Sequence, residues 1–417
     1  MGQLGGVRRA TSGRRRDPCG RLLLALGASA LAVAALAPGC GGSPARSAAS
    51  VVAPRPPRPY RLPAHAVRVS SARELVAALR QGRKTIVLDD GTYGLRRGYF
   101  VDWAGSSLYA RHLGRAVLTA GLVVGGKRGR GGAIVRGLAF RITDPAATFQ
   151  SSALNVWGPA GHDTHVLDAS FDGGWAVGVG LLALDPAGLV AHRLTFRHFT
   201  DEGIRASDNV PAPYGARVPV IHSISDIVVD GVSRAVPGSS NGTAEAGLWI
   251  GEPVATGVHR IRIRDCAISG IETVNNSWDT TFTSLDIDMA GPHAKDGVAV
   301  YLEHDTIGDT FERFRLTGAR TGFNAEWNGG VAGSTPTARN RIQNGTISAA
   351  GWSRGGATTG VYLDEGTGST TISGVTFTGQ SWAAIATHGV SDPATIRDNT
   401  YRLAPRAQAT TAAAVPG

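Results

Sequence analysis

Five short segments of the chain repeat one pattern of apolar and polar positions. Each begins with glycine; the first and third residues after the glycine are mostly apolar, and the second is variable. Because successive side chains of a strand point to opposite faces, each segment is expected to form a strand with one buried face. Repeats of roughly 20–50 residues are typical of solenoids. The segments begin at Gly247, Gly270, Gly297, Gly322 and Gly360.

A second apolar series recurs at steps of 24 to 34 residues. We interpret the short steps as coils of three strands and the long steps as coils that carry an inserted loop, of which Ser207–Pro219 is one. The 57 glycines agree with a fold that turns sharply several times in each coil. The series consists of Phe140, Phe171, Phe196, Val229, Ile263, Ile287, Leu316, Ile347, Phe377 and Tyr401.

One helix is predicted near the start of the ordered region. Ser71 and Glu74 have the spacing of a capping box, in which the serine oxygen accepts the backbone N–H of residue 74 and the glutamate reaches back. The apolar run Leu75–Leu79 follows, and Gly82 ends the helix. Since the exposed end of a solenoid core must be covered, we interpret this helix as an N-terminal cap.

The opening Val67–Tyr93, followed by irregular coils, resembles the pectate-lyase-like right-handed parallel β-helix superfamily over roughly residues 67–402. The resemblance implies an all-β, single-domain right-handed parallel β-helix, a solenoid with an N-terminal capping helix, for residues 67–403. That superfamily contains polysaccharide lyases, glycoside hydrolases, epimerases and non-catalytic adhesins, so the reaction must be argued from the site. Residues 404–417 are expected to form a disordered tail.

The positive charge of the chain is concentrated in its first part. The net charge is +10, but residues 1–62 hold ten Arg and one acid, which leaves about +1 for the remaining 355 residues. A nearly neutral body has no charged footprint for a phosphate backbone. We therefore expect no nucleic-acid partner.

Residues 1–40 read as an export signal, with a basic start and the apolar run Leu22–Ala37. The run ends in a sequence that resembles a bacterial lipobox, which predicts lipidation of Cys40 and a membrane contact through that anchor only. Cleavage after Ala37 with plain secretion, or retention of the segment as an uncleaved anchor, are the alternatives. Residues 41–66 are expected to be a Pro/Ala/Ser-rich tether, and the protein is expected to be extracellular.

The solvent-facing positions of the five glycine-led strands form two predicted columns. The column two residues after each glycine contains Trp249, Glu272, Ala299, Asn324 and Tyr362. The column four residues after each glycine contains Gly251, Val274, Tyr301, Glu326 and Asp364. Just beyond the strands follow Asn275, Asn276, Trp278, Glu303, His304, Trp327 and Glu365.

This mixture of carboxylates, amides and aromatic rings suits carbohydrate. Aromatic rings stack on the apolar face of a sugar, amides and carboxylates bind its hydroxyls, and acids cleave glycosidic bonds. Neighbouring coils are about 4.8 Å apart, so Glu326 and Asp364 are expected to lie on successive coils, and Glu303 one coil earlier. These three are the candidate acid, base or nucleophile. The candidate substrate-binding residues are Trp249, Glu272, Asn275, Asn276, Trp278, Tyr301, His304, Asn324, Trp327, Tyr362 and Glu365.

Two hypotheses remain open at the level of sequence. The first is a glycosidase or polysaccharide lyase, and the second is a non-catalytic surface protein that binds a glycan or a partner on the same face. The motifs typical of polygalacturonases are not found in order, and the one Asp-Asp pair, Asp89-Asp90, lies in the N-terminal turn. No cofactor or metal site is predicted, and calcium is expected only if the reaction is that of a lyase. The oligomeric state stays open.

Overall fold

The computed structural model describes residues 50–82, 84–95, 106–126, 131–207, 210, 212–232, 246–294, 297–326 and 334–412. These residues belong to one compact unit, Ser47–Gly417. The predicted signal segment with Cys40, and the candidate Trp327, lie outside the described residues. In the part of the chain that is described, no helix is long and apolar enough to cross a membrane.

The described residues form one α-helix, α1 (Ala72–Arg80), a 3-10 turn at Pro145–Ala147, and 33 strands. The first eleven strands are β1 (Val67–Val69), β2 (Thr85–Leu88), β3 (Gly91–Tyr93), β4 (Ser107–Ala110), β5 (Ala116–Leu118), β6 (Leu122–Gly125), β7 (Ile134–Arg136), β8 (Ala139–Arg141), β9 (Ser152–Trp157), β10 (His165–Leu167) and β11 (Ser170–Asp172). The next eleven are β12 (Val179–Leu184), β13 (Val190–Phe199), β14 (Glu202–Ala206), β15 (Ser223–Val232), β16 (Ala246–Ile250), β17 (Gly257–Cys266), β18 (Ser269–Thr273), β19 (Ser277–Trp278), β20 (Thr281–Asp288), β21 (Val298–Leu302) and β22 (Thr306–Ile307). The last eleven are β23 (Thr310–Thr317), β24 (Thr321–Ala325), β25 (Arg341–Gln343), β26 (Thr346–Ser348), β27 (Thr359–Leu363), β28 (Thr371–Ser373), β29 (Thr376–Thr378), β30 (Ala383–Thr387), β31 (Thr395–Arg397), β32 (Thr400–Arg402) and β33 (Gln408–Thr411).

These strands stack into a right-handed parallel β-helix, as the sequence predicts. A 20-stranded sheet contains the strands of two sides of each coil, and an 11-stranded sheet, which we call the site sheet, contains the strands of the third side. The site sheet runs β6, β9, β12, β14, β16, β18, β21, β24, β27, β30 and β33, so each coil pairs with the coil before and after it.

The predicted apolar series forms a continuous ladder inside the 20-stranded sheet. Phe140 pairs with Phe171, which pairs with Phe196, and the register continues without a slip to Tyr401. Phe140 and Phe171 stack with ring centroids 4.7 Å apart. The ladder side chains from Phe140 to Phe377 are buried, and Tyr401 at the end is 36% exposed. Burial of each buried member stabilises the fold by about 1.5–3 kcal/mol, so the ladder fixes the register of the coils.

The recurring glycines mark positions where the ladder leaves no room for a side chain. A Cβ atom added to Gly270 would lie 2.6 Å from Cγ2 of Ile287, and one added to Gly247 would lie 2.8 Å from Cγ2 of Ile263. In the third strand of the series the equivalent position is Ala299, not Gly297. The ladder residue there, Leu316, branches one carbon further from the backbone. The predicted alignment of this strand was therefore wrong by two residues.

The predicted capping helix is present as α1. The Ser71 hydroxyl oxygen accepts the Glu74 N–H at 3.2 Å, as in a capping box. The Glu74 carboxylate reaches one residue further back than expected and accepts the Ser70 N–H at 2.7 Å. Leu75 and Leu79 are buried and join the hydrophobic core.

The predicted tether (41–66) and the predicted tail (404–417) both contact the β-helix in the parts that the structure describes. In the predicted tail, β33 pairs in parallel with β30 and supplies hydrogen bonds to an otherwise unpaired strand edge. In the predicted tether, the backbone N–H groups of Arg55 and Arg58 donate to Asp226 and Asp168 of the β-helix. The described part of the tether therefore packs on the domain.

Candidate functional site

The outward-facing column of the site sheet contains the residues that the sequence predicts, with one exchange, but Trp249 and Glu272 are buried on this face. Parallel pairing aligns Trp249 with Glu272, Glu272 with Tyr301, Tyr301 with Asn324 and Asn324 with Tyr362. Tyr301 takes the place predicted for Ala299, and Ala299, at the position equivalent to Gly270, is instead fully buried in the hydrophobic core. The intervening apolar residues are fully buried in the core.

The three candidate catalytic acids lie on three successive coils. The Glu303 N–H donates to the Thr273 carbonyl at 2.9 Å, the Glu326 N–H to Leu302 at 3.0 Å, and the Asp364 N–H to Ala325 at 2.8 Å. Each acid thus begins the turn that follows its strand, at the same level of the coil. Glu326 and Asp364 are direct neighbours along the axis. We call these three residues the acid row.

The row continues into the next coil with a residue that the sequence analysis missed. The His388 N–H donates to the Leu363 carbonyl at 2.8 Å, and its Nδ1 lies 3.0 Å from Asp364 Oδ1. A search for glycine-led strands passes over β30 because Ala384 occupies the glycine position. The apolar alternation around Ile385 was the available signal.

Tyrosine hydroxyls of the neighbouring column orient two of the acids. The Tyr301 hydroxyl donates to Oε1 of Glu326. The Tyr362 hydroxyl donates to Oδ1 of Asp364 at 3.0 Å. The Asp364 side chain keeps 32% of its surface exposed and therefore meets solvent. Both tyrosines are half-buried, so their rings border the row.

Burial raises the pKa of several of these carboxyl groups. Burial, with a smaller contribution from Asp305, raises the pKa of Glu303 to about 7. Burial, followed by the charge of Glu303, raises the pKa of Glu272 to about 7. Burial and the neighbouring Asp364 raise the pKa of Glu326. Glu303 and Glu272 can therefore hold a proton near neutral pH, as a general acid must.

One basic side chain, Arg205, stands in the same column and was also missed. It pairs in register with Trp249, and its guanidinium lies 3.6 Å from the centre of the Trp249 ring. Its Nη1 lies 3.6 Å from the buried Glu202 carboxylate. The signal was present in the sequence, because Gly203 begins another glycine-led strand whose second following residue is Arg205.

Several predicted substrate-binding residues are buried, although one of them, His304, still has its Nδ1 3.9 Å from Glu303 Oε1 of the acid row. Asn276 holds the insert 212–220: its amide oxygen accepts the Ala212 N–H at 2.8 Å. Trp278 is 2% exposed and packs against Tyr214 of that insert. His304 Nε2 contacts Asn275 at 2.9 Å, and both are buried. The structure therefore does not present these four side chains to solvent.

Three other candidates, Trp249, Asn324 and Glu365, lie in the column next to the row or directly beside Asp364. Trp249 is 6% exposed beneath Arg205. Asn324 is half-buried in the column, and Glu365 is exposed beside Asp364. Within the described ranges, no group of three or more His, Cys, Asp and Glu side chains has a geometry suited to a metal ion.

Comparison with known proteins yields structural neighbours only. No protein-family model matches the chain, and no curated protein sequence does. The catalytic domain of a GH87 α-1,3-glucanase variant in complex with tetrasaccharides matches with a TM-score of 0.54 and 9% identity, over 86% of this chain and 70% of that chain. The shared property is the fold. This chain is a parallel β-helix.

Two further solved structures align with lower scores. The catalytic unit of a thermostable GH87 α-1,3-glucanase from Streptomyces thermodiastaticus strain HF3-3 aligns with a TM-score of 0.44 and 14% identity, over 88% of this chain and 71% of that chain. An alginate lyase from Paenibacillus sp. str. FPU-7 aligns with a TM-score of 0.37 and 12% identity, over 84% and 99% of the two chains.

Proposed function

We propose that the protein is a glycoside hydrolase that cleaves a polysaccharide at the acid row. The observation that carries the proposal is the stacking of Glu303, Glu326 and Asp364 on successive coils. Two coils separate the backbones of Glu303 and Asp364 by about 9.6 Å. Inverting glycosidases hold their two carboxyl groups about 6.5–9.5 Å apart, with a water between.

Glu303 is the proposed general acid. Burial raises its pKa to about 7, so the side chain holds a proton in weakly acidic to neutral solution and can give it to the leaving oxygen. Asp364 is the proposed general base, because it is partly exposed to water and is oriented by Tyr362 and His388. Glu326 lies between them, oriented by the Tyr301 hydroxyl.

The charges of the row favour hydrolysis over the lyase reaction. A lyase must neutralise the carboxylate of a uronate, and the carboxyl groups of the acid row, with Glu272 in the neighbouring column, supply no positive charge for it. Arg205, the basic member of the column, is already stacked on Trp249 and lies next to Glu202. The structural neighbour with the TM-score of 0.54 is an α-1,3-glucanase, which agrees with the proposed class.

The proposal is tested by screening the full-length protein against neutral and uronate-containing polysaccharides. We expect new reducing ends from a neutral substrate, without the ultraviolet absorbance of unsaturated sugar ends. Glu303→Gln and Asp364→Asn are each expected to lower the rate by about 10²–10⁴-fold. Asp392→Asn, at an exposed acid that is not a member of the row, is the control and should retain activity.

The pH dependence gives a second readout. As pH rises through about 7, Glu303 loses the proton that it must donate, so kcat/KM should fall on the alkaline side. Undiminished cleavage by both row variants would contradict the site. Unsaturated products would favour a lyase, and retention on a glycan column without turnover would favour the non-catalytic binder; either result rejects the hydrolase.

A further inference from the structure

The described part of the predicted tether contains a segment with very little conformational freedom. Every residue of 53–59 is either a proline or the residue before one. Proline fixes φ near −65°, and the residue before it is driven out of the helical region. The segment is therefore biased to polyproline II, which rises about 3.1 Å per residue with three residues per turn. Its remaining backbone N–H groups belong to Ala53, Arg55 and Arg58.

Two of those three N–H groups meet buried carboxylates of the β-helix. The Arg55 N–H donates to Asp226 Oδ1 at 2.8 Å, and the Arg58 N–H donates to Asp168 Oδ1 at 3.0 Å. Hydrogen bonds of this type are charge-assisted and roughly twice as strong as neutral ones. The segment thus uses most of the donors that it has.

The spacing of the two contacts fits the spacing of the coils. Asp168 and Asp226 are two coils apart, since Arg193 lies between them in register. Two coils rise about 9.6 Å, and the three residues from Arg55 to Arg58 rise about 9.3 Å in polyproline II. One turn of the peptide therefore matches two coils, and both N–H groups face the same side.

The acceptors are fixed before the segment arrives. They belong to what we call the corner column, in which one residue per coil turns the corner of the 20-stranded sheet in the left-handed conformation, with φ between 53° and 59°. Its arginines hold its acids: Arg193 Nε lies 2.5 Å from Asp168, and Arg260 Nε lies 2.5 Å from Asp226. The two carboxylates are 0% and 2% exposed. The corner column consists of Asp168, Arg193, Asp226, Arg260, Ser284 and Arg313.

The segment ends on an anchored aromatic ring. The Tyr60 hydroxyl donates to the Ala110 carbonyl at 2.5 Å and contacts the Arg136 carbonyl at 3.2 Å. The Arg136 guanidinium lies 4.2 Å from the ring centre. Gly137, with φ of 75°, makes room, because an added Cβ would overlap the Tyr60 hydroxyl.

We propose that the corner column is a binding site for an extended polyproline II peptide, occupied by the chain's own segment from Ala53 to Tyr60. The occupant runs along the axis and joins coils that do not touch one another. The residues just before the segment also contact the side of the β-helix and not its helix-capped end. Ser50 and Val51 line one cavity there together with Arg315 and Thr346.

Amide hydrogen exchange of the full-length protein tests this proposal. The Arg55 and Arg58 amides should exchange more slowly than the Ala53 amide. Arg55→Pro removes one donor but keeps the polyproline bias, so the Arg58 amide should then exchange about 10-fold faster. The reverse is expected for Arg58→Pro and the Arg55 amide.

Ala53→Pro is the matched control, since it removes an N–H that makes no hydrogen bond to the described residues, and it should leave both protected amides unchanged. Exchange of the Arg55 and Arg58 amides at unstructured-peptide rates in the unmodified protein would overturn the proposal. An equal effect of all three substitutions would do so as well. Protection that disappears on dilution would assign the occupant to a second copy and reject the intramolecular site.

Discussion

Single buried acids make the stability of this β-helix depend on pH, and Asp309 is the clearest case. It is completely buried, accepts the Thr280 N–H at 2.9 Å and contacts the Ser277 hydroxyl at 2.5 Å. Burial raises its pKa to about 8 in spite of these hydrogen bonds. The folded protein therefore binds the Asp309 proton more tightly than the unfolded chain does. This contribution to stability is complete below the unfolded pKa of about 3.9 and is lost as pH rises to about 8.

Asp309→Asn is expected to stabilise the protein at alkaline pH. The amide keeps an acceptor for Thr280 and a donor for Ser277, without a charge to bury. The gain in the free energy of unfolding should be on the order of a few kcal/mol above pH 8 and close to zero near pH 4. Urea unfolding at both pH values measures it. An equal gain at the two pH values would show that the charge of Asp309 is not the cause.

Sequence reasoning found the acids of the site better than their companions. Glu303, Glu326 and Asp364 follow apolar strands directly, so alternation alone places them at the strand ends. His388 and Arg205 were missed because a search anchored on five glycines skips the strand led by Ala384 and was not extended back to Gly203. The burial of Trp278 was not predictable, because it depends on an insert more than 60 residues earlier in the chain.

At the scale of the strand, the glycines that begin the site-sheet strands, such as Gly270, leave room for the ladder side chains of the core. Gly270→Ala should lower the free energy of unfolding by about 1–3 kcal/mol, because the new Cβ would lie 2.6 Å from Ile287 and 2.7 Å from the Ala299 carbonyl oxygen. Ala299→Gly, at the equivalent position of the next coil, is the matched control and should cost only about 0.5–1 kcal/mol. Urea unfolding of the two variants compares them. Equal losses would mean that the column tolerates either residue.

Elements with a local cause were predictable, and elements with a distant cause were not. The capping helix follows from Ser71 and Glu74, three residues apart, and the ladder from Phe140 to Tyr401 follows from hydrophobic period. The segment at Arg55 reads as a free tether because composition reports its stiffness but not the acceptors 110 to 171 residues away. The pairing of β33 with β30 likewise depends on an edge that no local pattern reveals.

At the scale of the whole molecule, charges alternate from coil to coil along the surface. The residues that follow the ladder pair in register on successive coils. Positive and negative side chains are thus adjacent across each strand pair, an arrangement that stabilises a sheet, whereas like charges destabilise it. The alternating column consists of Arg141, Asp172, Arg197, Asp230, Arg264 and Asp288.

Asp230→Arg should place three arginines on successive coils and lower the melting temperature at low ionic strength. The deficit should shrink at 1 M salt, where charges are screened within about 3 Å. Thr317→Arg, next to Asp288 at the end of the column, is the control and should not destabilise. A deficit of Asp230→Arg that is independent of salt would indicate a packing defect and not repulsion.

The alternation also restricts how such a solenoid can change its length. Duplicating or deleting a single coil within Arg141–Asp288 would bring two like charges together in this column. The corner column alternates in the same phase from Asp168 to Arg260, so a change of one coil there would also place two like charges side by side in that column. Duplicating or deleting two coils would leave both alternations intact and would lengthen or shorten the peptide site by one whole polyproline turn. In this region the natural unit of growth is therefore a pair of coils.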